Sequence, residues 1–262
     1  MDEIKSRSNP TIKKMRALRQ RKTRTETGLF LVEGIRHVGA AMEADWEIET
    51  LLYAPELLTS RYARDLMPAA VKRGIDVRPV SAEVFRALAE KENPQGILAA
   101  VRQRERSLAE LADSRHLAAL IAPQDPGNVG TILRTLDAVG ADGLILLNGG
   151  ADPYHPKTVR ASMGAIFWQP MARASFEQFI AWEKETPFKL IGTSAHGETD
   201  FSAVALDDDA WILLLGSEQK GLSEEQIAAC DLLLSLPMHG HGSSLNLAVA
   251  AGVFLYGLSN DC

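Results

Sequence analysis

The sequence predicts an α/β protein with two domains, a small α/β domain at 1–104 and a larger parallel-sheet domain at 105–262. Short runs of apolar residues recur in the second part of the chain, and helical patterns separate them. A strand that is apolar throughout must be covered on both faces, which predicts a parallel sheet flanked by helices. The stretch "RQRERSLAELADS" (102–114) is first charged and then helical, so it is typical of a connector and predicts the division.

Each element follows from an apolar run or a helical repeat. In the first domain, strands are predicted at "LFLVEG" (29–34), "IETLLYA" (48–54), "DVRPVS" (76–81) and "GILAAV" (96–101), with helices near 35–44, 60–73 and 81–91. In the second domain, buried strands are predicted at 117–122, 143–147, 189–193, 211–215 and 232–236.

The composition is that of an ordinary globular protein, 46% hydrophobic and 24% charged, so a packed core is expected. No apolar run of the sequence approaches the roughly 18–20 residues of a membrane span, and the start "MDEIKSRSNP" is unlike a signal peptide. The two cysteines, Cys230 and Cys262, form no metal or redox motif. They suit a reducing compartment, so a cytoplasmic location is expected.

The first 25 residues differ in charge from the rest of the chain. They carry nine Lys or Arg against Asp2 and Glu3, whereas the whole chain has a net charge of −6. A basic arm on an acidic body is typical of binding to a phosphate backbone, and a solvated tail is the alternative. Ile12, Met15 and Leu18 repeat at helical spacing, which predicts a short basic helix docked on the protein. The expected phosphate contacts are Lys13, Lys14, Arg16, Arg19, Arg21, Lys22 and Arg24.

Three loops rich in Gly and polar residues follow predicted strands of the second domain. They are "PQDPGNVGT" (123–131), "GSEQKGLS" (216–223) and "PMHGHGSS" (237–244). Because ligands of open α/β sheets bind just beyond the carboxyl ends of the strands, the three loops together predict a single pocket.

The loops contain polar residues for which a structural and a functional role compete. Asn128 would by default cap or turn the helix that follows it, and Arg134 would be a surface charge. Ser243 or Ser244 would cap the last helix, which carries Asn246 in its first turn. "SEEQ" (223–226) is a capping box, whereas Glu218 has no such structural explanation. We expect Gly216 to allow a close approach of the backbone.

Three other chemistries are disfavoured by the sequence around these loops. His239 and His241 have no third metal ligand at suitable spacing, so no metal is expected. The nucleophile elbow of a serine hydrolase is absent around Ser244. The sequence also lacks the glycine motifs of NAD-binding and ATP-binding loops.

The three loops resemble, in order and spacing, the motifs of the SpoU (TrmH-like) branch of the SPOUT methyltransferases. The first motif is similar to "PGNVGTILRTLDAVGAD" (126–142), the second to "LLLGSEQKGLS" (213–223) and the third to the core containing Ser244 and Asn246. The stretch "YHPKTVRASMGAIF" (154–167) and the leading segment 6–34 also resemble this family and its rRNA-directed members. The resemblance covers essentially the whole chain.

The resemblance implies a C-terminal trefoil knot that holds S-adenosyl-L-methionine and methyl transfer to a ribose 2′-hydroxyl of RNA, most of all 23S-type rRNA. It also implies a homodimer, and the helix "LNLAVAAGVFLYGL" (245–258) supports this because it is apolar all round. The implied catalytic residues are Asn128, Arg134, Glu218, Ser244 and Asn246. The implied cofactor-binding residues are Gly216, Ser217, Glu218, Leu236, Met238 and Leu245.

Two questions stay open at the level of sequence. In this family, removal of the proton from the hydroxyl is usually assigned to the residue that matches Arg134. A guanidinium with a pKa above about 12 is, however, a poor base at neutral pH. Arg134 would then clamp the adjacent phosphate instead. The alternatives in function are a tRNA substrate, a non-catalytic RNA-binding protein of this fold, and methylation of a base or a protein.

Overall fold

The structure of the protein is a computed structural model that describes residues 2–90, 92–194, 199–200, 209–242 and 244–259. Ser243 and Cys262 lie outside the described residues. The chain divides into two compact units, Met1–Gln103 with Tyr154–Phe167 and Arg104–Pro153 with Trp168–Cys262. The stretch 154–167, which the sequence analysis places in the second domain, belongs to the first unit. None of the described helices is long and apolar enough to cross a membrane.

The elements alternate between strands and helices along most of the chain. The strands are β1 (Leu29–Glu33), β2 (Ile48–Tyr53), β3 (Asp76–Pro79), β4 (Ile97–Arg102), β5 (His116–Ile121), β6 (Gly143–Leu147), β7 (Met171–Ala174), β8 (Lys189–Thr193), β9 (Thr199–Asp200), β10 (Trp211–Leu215) and β11 (Leu232–Ser235). The α-helices are α1 (Pro10–Ala17), α2 (Arg21–Thr27), α3 (Ile35–Glu43), α4 (Arg61–Lys72), α5 (Ala82–Leu88), α6 (Pro126–Ala138), α7 (Pro156–Ala161), α8 (Phe176–Glu183), α9 (Glu224–Ala228) and α10 (Leu247–Leu258).

The first unit is built on a four-stranded sheet in the order β1-β4-β2-β3. Strand β4 is antiparallel to both of its neighbours, and β2 and β3 are parallel. The four strands and the three helices predicted for this domain are confirmed, with ends that differ by a few residues.

The basic N-terminal segment folds as α1 and α2. The predicted docking of the first helix is confirmed, because Ile12, Met15 and Leu18 are fully or almost fully buried in the core of this unit. The predicted phosphate contact of Arg24 is wrong. Its side chain is buried, and its Nη1 donates hydrogen bonds to the carbonyls of Leu18 at 2.9 Å and Arg19 at 2.8 Å. Arg24 therefore holds the turn between α1 and α2 together.

The second unit is built on a seven-stranded sheet in the order β7-β6-β5-β10-β8-β11-β9, and every pair of neighbours is parallel. The five predicted strands are confirmed. Strands β7 and β9 were not predicted, and both lie at the edges, where a short strand needs no apolar run. The predicted helix of the connector is reduced to a 3-10 helix at Leu108–Leu111.

The core of the second unit is divided between the two faces of this sheet. Leu117, Ala119 and Ile121 of β5 belong to one apolar cluster together with Phe176 and Phe179 of α8. Because side chains alternate along a strand, the residues between them face the other side. On that side α6 and α10 pack against each other and against β6 and β10. Helices therefore cover both faces, and the loops at the strand ends remain available to a ligand.

Candidate functional site

The three predicted loops of the second unit open at the same edge of its sheet. They follow β5, β10 and β11, which run in the same direction, and their described residues are 122–125, 216–223, 236–242 and 244–246. This is the carboxyl edge, where open α/β sheets bind their ligands.

A chain of side-chain hydrogen bonds joins the three loops. Asn246 donates from Nδ2 to Oδ1 of Asn128 at 3.1 Å, and Asn128 donates from Nδ2 to Oε1 of Glu218 at 3.0 Å. We call Glu218, Asn128 and Asn246 the Asn–Asn–Glu chain. The same carboxylate accepts the backbone N–H of Gln124 at 2.9 Å and that of Asp125 at 3.2 Å. Glu218 therefore fixes the first loop to the second, and Asn246 adds the third.

The direction of this chain follows from the helix caps. Asn246 is the N-cap of α10, and its Oδ1 accepts from the backbone N–H of Ala248 at 2.9 Å and of Val249 at 3.4 Å. Its Nδ2 must then face Asn128, so neither amide is free to flip without losing a bond. The expected N-cap at Ser244 is therefore wrong. The expected position of Asn246 within the first turn is also wrong, because Asn246 is itself the N-cap.

Asn128, unlike Asn246, is not a helix cap. Asp125 caps α6, and its Oδ1 accepts the backbone N–H of Gly127 at 2.7 Å. Asn128 lies inside the first turn of α6, is buried, and uses its amide for the Asn–Asn–Glu chain. Its functional interpretation therefore has a geometric basis that a cap would not provide.

The hydrogen bonds to Glu218 keep its carboxylate ionised. Partial burial by itself raises the pKa of this group. The hydrogen bonds from the backbone of Gln124, the side chain of Asn128 and the backbone of Asp125 outweigh this effect, so the pKa of Glu218 lies below its usual value. A carboxylate with a lowered pKa and this many donors anchors its neighbours better than it accepts a proton.

The close approach expected at Gly216 occurs within its own loop. A Cβ atom at this position would overlap the backbone of Gly221 and Leu222. Ser217 and Gly221 exchange two backbone hydrogen bonds of 2.9 and 3.2 Å, which closes a tight turn, and Gly221 has a φ of 65°. Gly216 is thus required by the shape of the second loop, whatever the loop binds.

A fourth loop supports the first, and the sequence analysis missed it. Ala151, after β6, donates its N–H to the carbonyl of Pro123 at 2.6 Å, and a Cβ at Gly150 would overlap that carbonyl. Ala122 has a φ of 40°, a left-handed conformation that is strained for a residue with a side chain. The pair Gly149–Gly150 directly after an apolar strand was the available signal.

The structure does not bring Arg134 to the Asn–Asn–Glu chain of its own molecule. Arg134 follows Asn128 by six positions on α6, which places it about 120° around the helix and about 9 Å along it. The side chain of Arg134 is exposed and has no hydrogen bond or ion pair among the described residues. Ser244 is also exposed and without a hydrogen bond in this part of the chain.

The predicted cofactor residues lie on the second and third loops. Gly216, Ser217 and Leu236 are half-buried, whereas Met238 and Leu245 expose 39% and 43% of their surface. No group of three or more possible metal ligands occurs among the described residues.

One face of α10 is apolar and exposed. Val249, Val253 and Tyr256 lie on this face at helical spacing and are 53%, 39% and 51% exposed. The opposite face packs against α6.

Comparison with known proteins gives these features a family. A model of the SpoU rRNA Methylase family matches residues 116–256, which include all three loops. The chain belongs to the SpoU rRNA methylase family. A model of an MRM3-like substrate binding domain matches residues 9–99, within the first unit. The family resemblance drawn from the motifs is confirmed.

Members of this family resemble the chain over most of its length. It is 31% identical to the 23S rRNA (guanosine(2553)-2'-O)-methyltransferase RlmP of Bacillus subtilis, over 98% of this chain and 99% of that protein. It is 36% identical to a 23S rRNA (uridine(2479)-2'-O)-methyltransferase of Streptomyces viridochromogenes, over 91% and 85% of the two chains. The structure matches the AdoMet-bound rRNA methyltransferase from Sinorhizobium meliloti with a TM-score of 0.90 and 36% identity, over 98% and 96% of the chains.

Proposed function

We propose that this protein transfers a methyl group from S-adenosyl-L-methionine to a ribose 2′-hydroxyl of 23S-type rRNA. The observation that carries the proposal is the Asn–Asn–Glu chain, which ties the three loops together in a member of the SpoU rRNA methylase family. Two relatives at 31% and 36% identity are 23S rRNA 2′-O-methyltransferases.

The cofactor would be held by the second and third loops. Met238 and Leu245 present exposed apolar side chains on the third loop, which leads to Asn246, and this suits a ligand with an apolar ring and polar substituents. The main chain of Gly216, Ser217 and Leu236 would supply hydrogen bonds. When bound, S-adenosyl-L-methionine supplies a methyl group on a sulfonium, which makes this methyl electrophilic.

The side chains of the site would act by positioning. Asn128 and Asn246 hold each other in one orientation, and Glu218 fixes that orientation, so the loops stay in one geometry while the hydroxyl attacks in line. The exposed guanidinium of Arg134 would clamp the phosphate beside the reacting ribose, because its planar fork matches phosphate oxygens. Ser244 would contact the ribose.

A second copy of the chain would complete the site. Within one molecule Arg134 lies on another face of α6 than Asn128, so we propose that Arg134 acts on the site of a second copy. The apolar face formed by Val249, Val253 and Tyr256 would be the dimer contact. The substitution Val253→Asp is expected to give monomers in light scattering and to abolish transfer. A variant that remains dimeric would contradict this contact.

The α1 helix would supply a contact to the RNA backbone. The side chains of Lys13 and Arg16 are exposed and have no partner among the described residues, whereas the Lys14 ammonium is paired with Glu49. We therefore expect the variant Lys13→Glu/Arg16→Glu to weaken the salt dependence of RNA binding, so that the slope of log affinity against log salt becomes less negative by about 2. Lys72→Glu, on α4, is the control that should leave the slope unchanged.

The proposal also includes the knot and a cytoplasmic location. Strand β10 lies between β5 and β8, two strands that precede it in the chain, and this order is compatible with a threaded C-terminal segment. A cytoplasmic location follows from the rRNA substrate.

The experiment that tests the proposed function uses S-adenosyl-L-methionine labelled in its methyl group. The protein is incubated with unmodified 23S rRNA or with tRNA, and the RNA is digested to nucleosides. We expect the label in one 2′-O-methylnucleoside from rRNA and none with Asn128→Ala. Label in tRNA, in a base or in a protein would replace the proposed substrate, and no transfer at all would refute the activity.

A further inference from the structure

Helices α1 and α5 of the first unit cover the same face of its sheet. One apolar cluster contains buried residues of both helices and of three strands, namely Ile12 and Met15 of α1, Val84, Phe85 and Leu88 of α5, and Leu31, Leu52 and Leu98 of β1, β2 and β4. A helix that buries one side against a sheet turns its opposite side to solvent. The outer sides of α1 and α5 therefore form one surface of the first unit.

Side-chain contacts tie the two helices together at both ends. Just before α1, Arg7 donates from Nη2 to Oε1 of Glu83, in the first turn of α5, at 3.0 Å. Just after α1, the guanidinium of Arg19 donates to the backbone carbonyl of Leu88, the last residue of α5. The helices therefore run in the same direction, with their C-terminal ends side by side.

Three cations on this outer surface have no partner of their own. Lys13 and Arg16 of α1 and Arg86 of α5 are exposed, and none of them has a hydrogen bond or an ion pair among the described residues. Arg16 and Arg86 precede Arg19 and Leu88 by three and two positions, so each lies within about one helical turn of the contact between the C-terminal ends. We call Lys13, Arg16 and Arg86 the basic triplet.

The carboxylates on and beside the two helices are already paired with other cations. Helix α1 contains no acidic residue, and Glu83, the acidic residue of α5, is paired with Arg7. Glu49 of β2 is paired with Lys14 of α1. The positive charges of the basic triplet are therefore not compensated locally, although the whole chain has a net charge of −6. Such a patch attracts a polyanion.

We propose that the basic triplet binds the phosphate backbone of the RNA as one site, with Arg86 as the contact that α5 contributes; this rests on the proposed function, in which the substrate is RNA. The axes of packed helices lie about 8–10 Å apart, so the cations of α1 and α5 can reach different phosphates of one backbone. Contacts to phosphate position an RNA without reading its bases. The triplet should therefore affect affinity and leave the transfer step unchanged.

The test measures the affinity of the full-length protein for unmodified 23S rRNA at several salt concentrations. Loss of one phosphate contact makes the slope of log affinity against log salt less negative by about 0.7–0.9. Arg86→Gln should show this change and bind about five- to eightfold more weakly at about 0.1 M salt. Arg86→Lys keeps the charge and should keep the wild-type slope. Lys72→Gln is the matched control, because none of the described residues in the cluster beneath α1 and α5 belongs to α4.

A second measurement tests whether the triplet acts as one site. Ethylation of a contacted RNA phosphate removes its charge and weakens binding. In Arg86→Gln, ethylation of the phosphates that Arg86 contacts should no longer matter, and these phosphates should lie on the same stretch of backbone as those lost in Lys13→Gln/Arg16→Gln. Single-turnover transfer at saturating RNA should stay within about twofold of the wild type in both variants.

Several results would overturn the inference. A wild-type slope in Arg86→Gln would remove Arg86 from the RNA contact. A changed slope in Arg86→Lys would indicate a structural role, and a changed slope in Lys72→Gln would indicate an effect of net charge alone. Separate stretches of RNA for the two helices would mean two sites. The proposed function is judged separately, because it fails if the wild-type protein forms no 2′-O-methylnucleoside, whereas the slopes are measured without transfer.

Discussion

Asn246 performs two tasks that can be separated by mutation. Its Oδ1 caps α10, and its Nδ2 holds Asn128. Asn246→Ala removes both, whereas Asn246→Ser keeps a good N-cap and is too short to reach Asn128. The pair of variants thus distinguishes the stability of the helix from the geometry of the site.

The magnitudes follow from the two kinds of hydrogen bond. Loss of an N-cap costs about 1 kcal/mol, and loss of a partly buried side-chain hydrogen bond costs about 1 kcal/mol. We therefore expect Asn246→Ala to lower the free energy of unfolding by about 2 kcal/mol and Asn246→Ser by about 1 kcal/mol. For a domain of this size these values correspond to decreases in Tm of about 6 °C and about 3 °C.

Activity should not follow stability in these variants. If the Asn–Asn–Glu chain holds the loops for transfer, both variants should lose about 100-fold in single-turnover rate, although Asn246→Ser is the more stable one. Calorimetric melting and the labelled-methyl assay on the same preparations measure the two quantities. Wild-type activity in Asn246→Ser would refute a role of the chain in the reaction, and equal melting of the two variants would refute the cap.

Two other residues of the site give further predictions. Glu218→Gln replaces one carboxylate oxygen by a donor that faces another donor, so Tm at pH 7 should fall by a few degrees. The control Glu185→Gln should not change Tm, because the side chain of Glu185 is exposed and has no partner among the described residues. Because the folded-state pKa of Glu218 is lowered, its contribution is present at neutral pH and is lost as the pH falls through that pKa; the difference in Tm should therefore disappear in acid. A difference that persists there would contradict the ionised anchor. Gly216→Ala should destabilise the second loop and weaken cofactor binding at least tenfold, whereas Gly240→Ala, which has open space around it, should bind normally in calorimetry.

The sequence was sufficient to predict the central strands and the meeting of the three loops at one edge of the sheet. Strands such as β10 are apolar throughout because both of their faces are buried, and this local signal survives in any context. Glu218 stood out because no cap or turn explained a carboxylate there, and it is indeed the acceptor that joins two loops.

Partners that come from distant parts of the chain could not be predicted. The sequence predicted Arg24 to be a solvent-exposed cation. Its side chain is instead buried and donates hydrogen bonds to carbonyls of a turn whose shape could not be predicted from the sequence. Local preference assigned Asn128 to a cap or turn at the helix start, whereas its side chain contacts Asn246, 118 positions away. Strand β7 has only four residues, and one of them is the charged Arg173. It is a strand because it pairs with β6, and its sequence has no apolar run that would predict it.

The three residues of the Asn–Asn–Glu chain are far apart in the sequence, and this separation links the order of folding to activity. Its two hydrogen bonds close loops of 90 and 118 positions. Such distant contacts form late in folding, because closing a long loop costs conformational entropy of the polypeptide before the contact can stabilise it. Refolding protein should regain helical circular dichroism before it regains methyl transfer. A break in the chain between Asn128 and Glu218 would remove the covalent connection between the first loop and the other two. For this enzyme, assembly of the site and completion of the domain are one event.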